Sequence, residues 1–176
     1  MQKLSLSLLV FFVFIIGLSA QESNEAERSE TKNQINFVIG YTHIPRAFED
    51  GREEDPVFVP TIGIDYFREL NEKWVLGLVM DLELTDYALE FNGDHLPREN
   101  AFLVGVIAGY ELSEHWGIMA GPAIEFEDHK DLFVFRLATE YKIDLGESWL
   151  LLPSFNYDFK EEYGTWNLSV GVGKKF

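Results

Sequence analysis

The chain contains no cysteine, which excludes disulfides, thiolate metal sites, a cysteine nucleophile and lipid attachment through an N-terminal cysteine. Positive charge is scarce: 14 Lys and Arg stand against 30 Asp and Glu in 176 residues, a formal net charge of −16. With no basic stripe to neutralise phosphates, nucleic acid is excluded as a partner. One long apolar run exists, LLVFFVFIIGL at 8–18, and nothing after it carries a period long enough for a globular helix. Tryptophan occurs four times. Three of the four close the same short phrase: ELNEKW (69–74), ELSEHW (111–116) and DLGESW (144–149).

The apolar run is preceded by Lys3 and followed by Ser19 and Ala20, after which the chain turns polar. Residues 1–20 therefore read as a secretory signal peptide, with cleavage expected after Ala20. Residues 21–32 (QESNEAERSETK) lack periodicity and read as a solvated leader. The folded part is expected over 33–176.

Around each repeated phrase the sequence alternates with period two. Trp74, Leu76, Leu78, Met80, Leu82 and Leu84 share one parity, and Val75, Gly77, Val79, Asp81 and Glu83 share the other. The same alternation runs through 102–112, 116–126, 133–143, 149–159 and 166–176, and through two earlier segments near 35–41 and 58–66. That makes eight strands. Tight turns at the repeats oppose longer polar connections near 44–56 and 88–100, and EDHKD and EEYGT (127–131 and 161–165) are shorter members of the second set. The expectation is all-β: an eight-stranded antiparallel up-and-down barrel.

The second parity decides what the barrel's outside is. Gly40, Gly63, Gly77, Gly105, Gly109, Gly117, Gly121, Gly171 and Gly173 all fall on it. Glycine weakens a solvent-facing strand but suits the narrow interior of a closed eight-stranded barrel. Asp65, Asp81, Glu83, Glu111, Glu125, Glu140 and Asp158 share that parity with Arg136, Lys142, Lys160 and Lys175. Packed inside, they are expected to form a paired network, since unpaired buried charges are costly. The apolar parity then faces lipid, as in a transmembrane barrel; a soluble lipocalin-like barrel would have the faces reversed. Trp74, Trp116, Trp149, Tyr66, Tyr110, Tyr141 and Phe176 are expected as an aromatic belt at one membrane–water boundary. Of the few charges on the apolar parity, Arg68 and Lys174 fall near the same end. Pro60, Pro122 and Pro153 also lie on it, and each must forfeit a ladder hydrogen bond.

With this architecture, and a last strand WNLSVGVGKKF ending in Phe176, the chain resembles the small eight-stranded bacterial outer-membrane barrels. These are the class of the outer membrane protein A transmembrane domain and the opacity-type surface proteins. The resemblance implies location in the outer membrane of a Gram-negative cell, with outer-membrane lipid and lipopolysaccharide as surroundings and a monomeric state. It also implies that Trp166, Leu168, Val170, Val172 and Phe176 form the signal read by the barrel-assembly machinery. Lys174 departs from that pattern, where an aromatic or apolar residue is usual.

Some barrels of this kind modify lipid A with a histidine and a serine or acidic partner. His43 and His129 fall near the long-loop end with Asp50, Glu127 and Asp131, while His95 lies in the second long loop and His115 belongs to a short turn. Ser154 and Ser169 have inward parity, but no histidine matches their depth, so no nucleophile–base pair is assigned. GREEDP (51–56) and the NGD of 92–94 lack calcium-loop spacing, so no metal or other cofactor is expected. The expected role is non-catalytic, structural or surface-interacting, with a lumen filled by side chains. A lipid A-modifying enzyme, a small channel and a soluble ligand-binding barrel are the alternatives.

Overall fold

The computed structural model of the protein describes residues 32–45, 47–48, 56–84, 86–91, 94–128, 130–161 and 163–176. The expected signal peptide, nearly all of the leader, Asp50, His129 and residues 51–55 lie outside these, as do the side chains of 47–48 and 86–97.

The strands are β1 (Asn33–Ile44), β2 (Ala47–Phe48), β3 (Val57–Glu69), β4 (Trp74–Glu83), β5 (Asp86–Phe91), β6 (Asp94–Glu99), β7 (Phe102–Glu111), β8 (Trp116–Phe126), β9 (Leu132–Tyr141), β10 (Ile143–Gly146), β11 (Trp149–Lys160) and β12 (Gly164–Lys175). Strands β9 and β10 are one strand interrupted at Lys142, so eight strands close the barrel in the order β1, β3, β4, β7, β8, β9/β10, β11, β12. Every pairing is antiparallel, and β12 returns to β1 from Gln34↔Lys175 to His43↔Trp166. Asn33 and Phe176 exchange backbone hydrogen bonds of 3.1 and 2.8 Å, which fastens the two ends of the chain's barrel together. Among the described residues there is no helix.

The period-two pattern maps onto two surfaces. Phe37, Tyr41 and Leu168 are each more than half exposed, while Asn36, Ile107, Glu125 and Leu152 are 1% exposed. The apolar parity is outside and the charged, glycine-rich parity inside. Apolar surface on this scale is far beyond what a soluble monomer leaves in water. From Trp149 to Phe159 the outward face of β11 makes ten residue steps, about 25 Å of height at a rise of about 3.3 Å and a tilt of about 40°. That matches the apolar band of a transmembrane barrel.

All three prolines sit where a ladder ends or lapses. Pro60 lies one position beyond the β3–β4 register, which starts at Thr61↔Glu83; its carbonyl still accepts from Leu84 N–H at 2.8 Å. Pro122 falls in the two-residue gap of the β7–β8 ladder between Gly105↔Ala123 and Ala108↔Ala120. Pro153 falls between Ser154↔Glu140 and Leu151↔Ile143, where β9 gives way to β10. The missing N–H of each proline thus coincides with a position at which pairing stops. Beside Pro122, Gly121 has no room for a Cβ, which would lie 2.1 Å from the Val106 carbonyl oxygen.

Two details correct the expected loops. Residues 88–100 are not a long polar loop: β5 and β6 pair from Asp86↔Glu99 to Phe91↔Asp94, and β2 joins β5 to complete a separate three-stranded sheet. The overlooked signal is the Asn92–Gly93 dipeptide between two short alternating segments, a strong hairpin marker. The three repeats also form two kinds of turn. In ELNEKW the Asn71 side-chain oxygen accepts from the N–H groups of Lys73 and Trp74, both at 3.0 Å, and in ELSEHW Ser113 Oγ accepts from His115 and Trp116 at 3.3 and 3.1 Å. Those strands end at Glu69 and Glu111. In DLGESW the turn residues are Glu147 and Ser148, with φ of +52° and +65°, after a bulge between Asp144 and Gly146 (φ +86°). Two consecutive left-handed residues make this a type I′ hairpin.

Candidate functional site: the charged lumen and the two rims

Inward-facing charges meet at three heights. At mid-barrel, Arg136 on β9 grips Asp158 on β11 through Nε–Oδ1 and Nη2–Oδ2 bonds of 2.7 and 2.8 Å, and its Nη1 donates to Asp81 on β4. β4 lies three places from β9 around the barrel, so this guanidinium braces opposite walls. Towards the long-loop end, Lys160 Nζ lies 2.5 Å from Glu125 and 3.6 Å from Glu83. Arg98, delivered by β6, donates to Glu125 and lies 3.5 Å from Glu127, with a 2.5 Å bond to the Lys130 carbonyl. Towards the short turns, Lys142 pairs with Glu111 at 2.5 Å and Lys175 with Glu69 at 2.9 Å.

Of the eleven lumen charges singled out in the sequence, nine thus form ion pairs: Asp81, Glu83, Glu111, Glu125, Arg136, Lys142, Asp158, Lys160 and Lys175. Asp65 and Glu140 instead border a cavity with Asp81 and Arg136, and neither forms a salt bridge among the described residues. Arg98 was not legible as a lumen residue. Its sequence neighbours read as loop, and only the β5–β6 hairpin carries its side chain, 1% exposed, into the barrel mouth.

The space between the charges is filled unequally. Phe67, Val75, Val79, Leu103, Ile107, Ala123 and Val134 form an apolar cluster on β3 to β9, against which Met119 packs. The opposite wall is neutral and hydrogen-bonded: Thr42–Thr61 at 2.7 Å, Asn167 donating to Thr42 at 3.0 Å, and Ser154–Ser169 at 2.7 Å. Among the described residues, cavities of about 30 and about 20 Å³ both border Phe67, Met119 and Glu140. Each has room for one or two waters.

The described histidines are remote from the lumen serines. His43 lies on the outward parity, stacked on Trp166 at 4.6 Å and edge-on to Phe58 at 5.0 Å, with its Nδ1 buried and unpartnered. His115 stacks on Tyr141 at 5.8 Å. Ser154 and Ser169 bond to each other, so neither is paired with a base. No group of three or more His, Cys, Asp or Glu side chains suited to a metal ion occurs among the described residues.

Both rims carry aromatic rings. At the short-turn rim Trp74 packs against its register partner Tyr110 at 5.0 Å, and Trp116 against Tyr141 at 5.1 Å. Trp149 faces Lys174, Tyr66 donates to Asn33 at 2.8 Å, and Phe176 is 55% exposed. The other rim has its own ring: His43, Phe58 and Trp166, with Phe155 6.4 Å from Trp166 and Tyr157 against Phe159 at 4.6 Å. This second ring went unnoticed in the sequence because no repeated phrase marks it. The remaining members of the last strand, Leu168, Val170 and Val172, also face outward.

An antiparallel eight-stranded barrel with an apolar exterior, two aromatic rims and an ion-paired interior is a transmembrane β-barrel by fold. Solved structures of small outer-membrane barrels share it. The N-terminal β-barrel domain of Pseudomonas aeruginosa OprF matches with a TM-score of 0.53 at 16% identity, over 82% of this chain and 98% of that one. Ail, the attachment invasion locus protein of Yersinia pestis, crystallised with the heparin analogue sucrose octasulfate, matches at 0.51 and 12%, over 82% and 99%. The outer membrane protein OprG from Pseudomonas aeruginosa matches at 0.50 and 14%, over 82% and 96%. At these identities the likeness is one of fold. No protein-family model matches the chain, and no curated protein matches its sequence.

Proposed function

We propose that the protein is an exported outer-membrane barrel with a structural or surface-interaction role and no catalytic activity. The carrying observation is the lumen, in which braced ion pairs and an apolar cluster fill the interior around cavities of about 30 and 20 Å³. Such an interior favours a plug over a channel, and no described histidine lies beside an inward serine. In this reading the short turns and both ends of the barrel face the periplasm. The acidic loops face outward toward lipopolysaccharide. The strand from Trp166 to Phe176 serves the barrel-assembly machinery, and the mature protein is a monomer. Fractionation tests this directly: the protein should be recovered from membranes only with detergent, and it should migrate differently on gels before and after heating. Recovery from a soluble periplasmic fraction would refute it. Discrete openings in single-channel recordings would favour a pore, and an altered lipid A profile on expression would favour an enzyme.

A further inference from the structure

Among the described lysines and arginines, Arg68, Lys73 and Lys174 stand on or beside the outward face at the short-turn end, and Lys130 stands on a turn at the other end. Arg68 and Lys174 occupy the outward parity of β3 and β12, and Lys73 and His115 stand one residue before Trp74 and Trp116. They fall on four alternate seams around the barrel. On β1/β3, Arg68 and Tyr66 both donate to the Asn33 side-chain oxygen, at 3.0 and 2.8 Å. On β4/β7, Lys73 Nζ lies 6.0 Å from the Tyr110 ring. On β8/β9, His115 stacks on Tyr141. On β11/β12, Lys174 Nζ lies 4.9 Å from the Trp149 ring.

The fourth seam shows that the arrangement is a pattern. The third repeat, ESW, has Ser148 where the first two have Lys73 and His115. There the cation comes from Lys174 instead, the register partner of Trp149 on the adjacent strand. That position is on the lipid face, where an apolar residue would be the ordinary choice and a lysine must snorkel to the interface. Two seams therefore set a lysine against a ring, a third stacks His115 on one, and β1/β3 joins Arg68 and Tyr66 through Asn33, all at the level where glycerol and phosphate groups lie. Glu72, Glu114 and Glu147 stand one residue nearer the turn tip than Lys73, His115 and Ser148, and Asp144 is a further exposed acid of the third repeat. Among the described residues at the opposite end, the exposed charges are Glu99, Asp128, Asp131 and Glu161 with Lys130.

We infer that this collar is a binding site for anionic glycerophospholipids in the leaflet at the short-turn end, its cations holding the phosphodiester and its rings the glycerol–acyl boundary. The inference rests on the membrane-barrel reading, and its test reports on the two separately. The full chain is folded into phosphatidylcholine vesicles containing phosphatidylglycerol, with a trace of spin-labelled phosphatidylglycerol or phosphatidylcholine. Electron paramagnetic resonance then measures the lipid held at the protein surface. We expect a preference for the phosphatidylglycerol label of about two- to fivefold, from the attraction each interfacial Lys or Arg exerts on anionic lipid, weakening with added salt. It should fall to parity in Arg68→Gln/Lys73→Gln/Lys174→Gln and persist in Lys130→Gln at the other end. If the triple variant does not fold, Lys73→Gln alone, on an exposed turn, should lower the preference. An unchanged preference in these variants, no preference in the parent, or a preference for lipid A alone would overturn the inference. Heat-modifiable gel mobility of the same samples reports insertion, so its loss would instead refute the barrel reading.

Discussion

Arg136→Met is the sharpest test of how the lumen holds the barrel. The substitution keeps an apolar stem of similar length and removes a guanidinium that is 6% exposed and bonds Asp158 twice and Asp81 once. It leaves Asp81 and Asp158 without their counter-ion, Asp81 beside a cavity of about 30 Å³ that Asp65 and Glu140 also border. Removing one partner of a buried ion pair costs about 3–5 kcal/mol, because the remaining charge stays desolvated without its counter-ion. At about 4 kcal/mol the folding equilibrium shifts about a thousandfold. Arg136→Lys keeps the charge but not the two-pronged geometry, and should cost about 1.5–3 kcal/mol, the value of a hydrogen bond to a charged group.

The assay is reversible urea unfolding in vesicles, followed by tryptophan fluorescence and by gel mobility of unheated samples. The triple variant Arg136→Met/Asp81→Asn/Asp158→Asn distinguishes the loss of an attractive network from the stranding of its acids. It should recover most of the stability lost by Arg136→Met, since neither position 81 nor position 158 then carries a charge stranded without its counter-ion. The reasoning is refuted if Arg136→Met lies within about 1 kcal/mol of the parent, the scale of an exposed pair, or if the triple variant is no more stable than the single one.

Asp65→Asn should be neutral or stabilising by about 1 kcal/mol in the same assay, since this acid lines the cavity without a salt bridge while burial of a charge is costly. Arg98→Ala should release β5–β6 from Glu125, Glu127 and the Lys130 carbonyl, seen as faster amide exchange in residues 94–99 with barrel strands still protected. Gly121→Ala should destabilise by about 1–3 kcal/mol, the usual range for forced overpacking, because its Cβ would lie 2.1 Å from the Val106 carbonyl oxygen. Glu147→Asn/Ser148→Gly should raise stability by about 0.5–2 kcal/mol, as Asn-Gly is the favoured pair for the type I′ turn these residues adopt.

The barrel was legible because its two faces differ chemically at every second residue. Glycine and charge on one parity, aromatic and aliphatic side chains on the other, leave one arrangement in which both are satisfied, and register follows from the alternation itself. Pro60, Pro122 and Pro153 looked like contradictions when each strand was read alone. They are resolved by pairing, since whether a strand residue needs its N–H depends on a neighbour that the local sequence does not name. The same limit applies to the turns. ELNEKW and ELSEHW share a side-chain acceptor after leucine, Asn71 or Ser113, whereas DLGESW has Gly146 there and so cannot form that cap. Its similarity is in outline, and its backbone solution is different.

The lumen charges were legible as a set but not as partners. Parity places Asp81, Arg136 and Asp158 inside, yet the brace from Arg136 to Asp81 depends on which strands stand opposite after closure. Arg98 was hidden for a further reason. It reaches the barrel mouth from outside the eight-strand repeat, so its role arises only when β5 and β6 pair with each other and the side chain meets Glu125 beside Lys160. Without it, Glu125 and Glu127 would share that end with Lys160 as the nearby buried cation. The hairpin therefore completes the charge balance of the lumen as well as extending beyond it. A loop swap that removed residues 86–99 should consequently destabilise the barrel in a way that Glu125→Gln/Glu127→Gln partly repairs, measured by the same urea titration. A swap with no cost would mean that the hairpin only decorates the barrel.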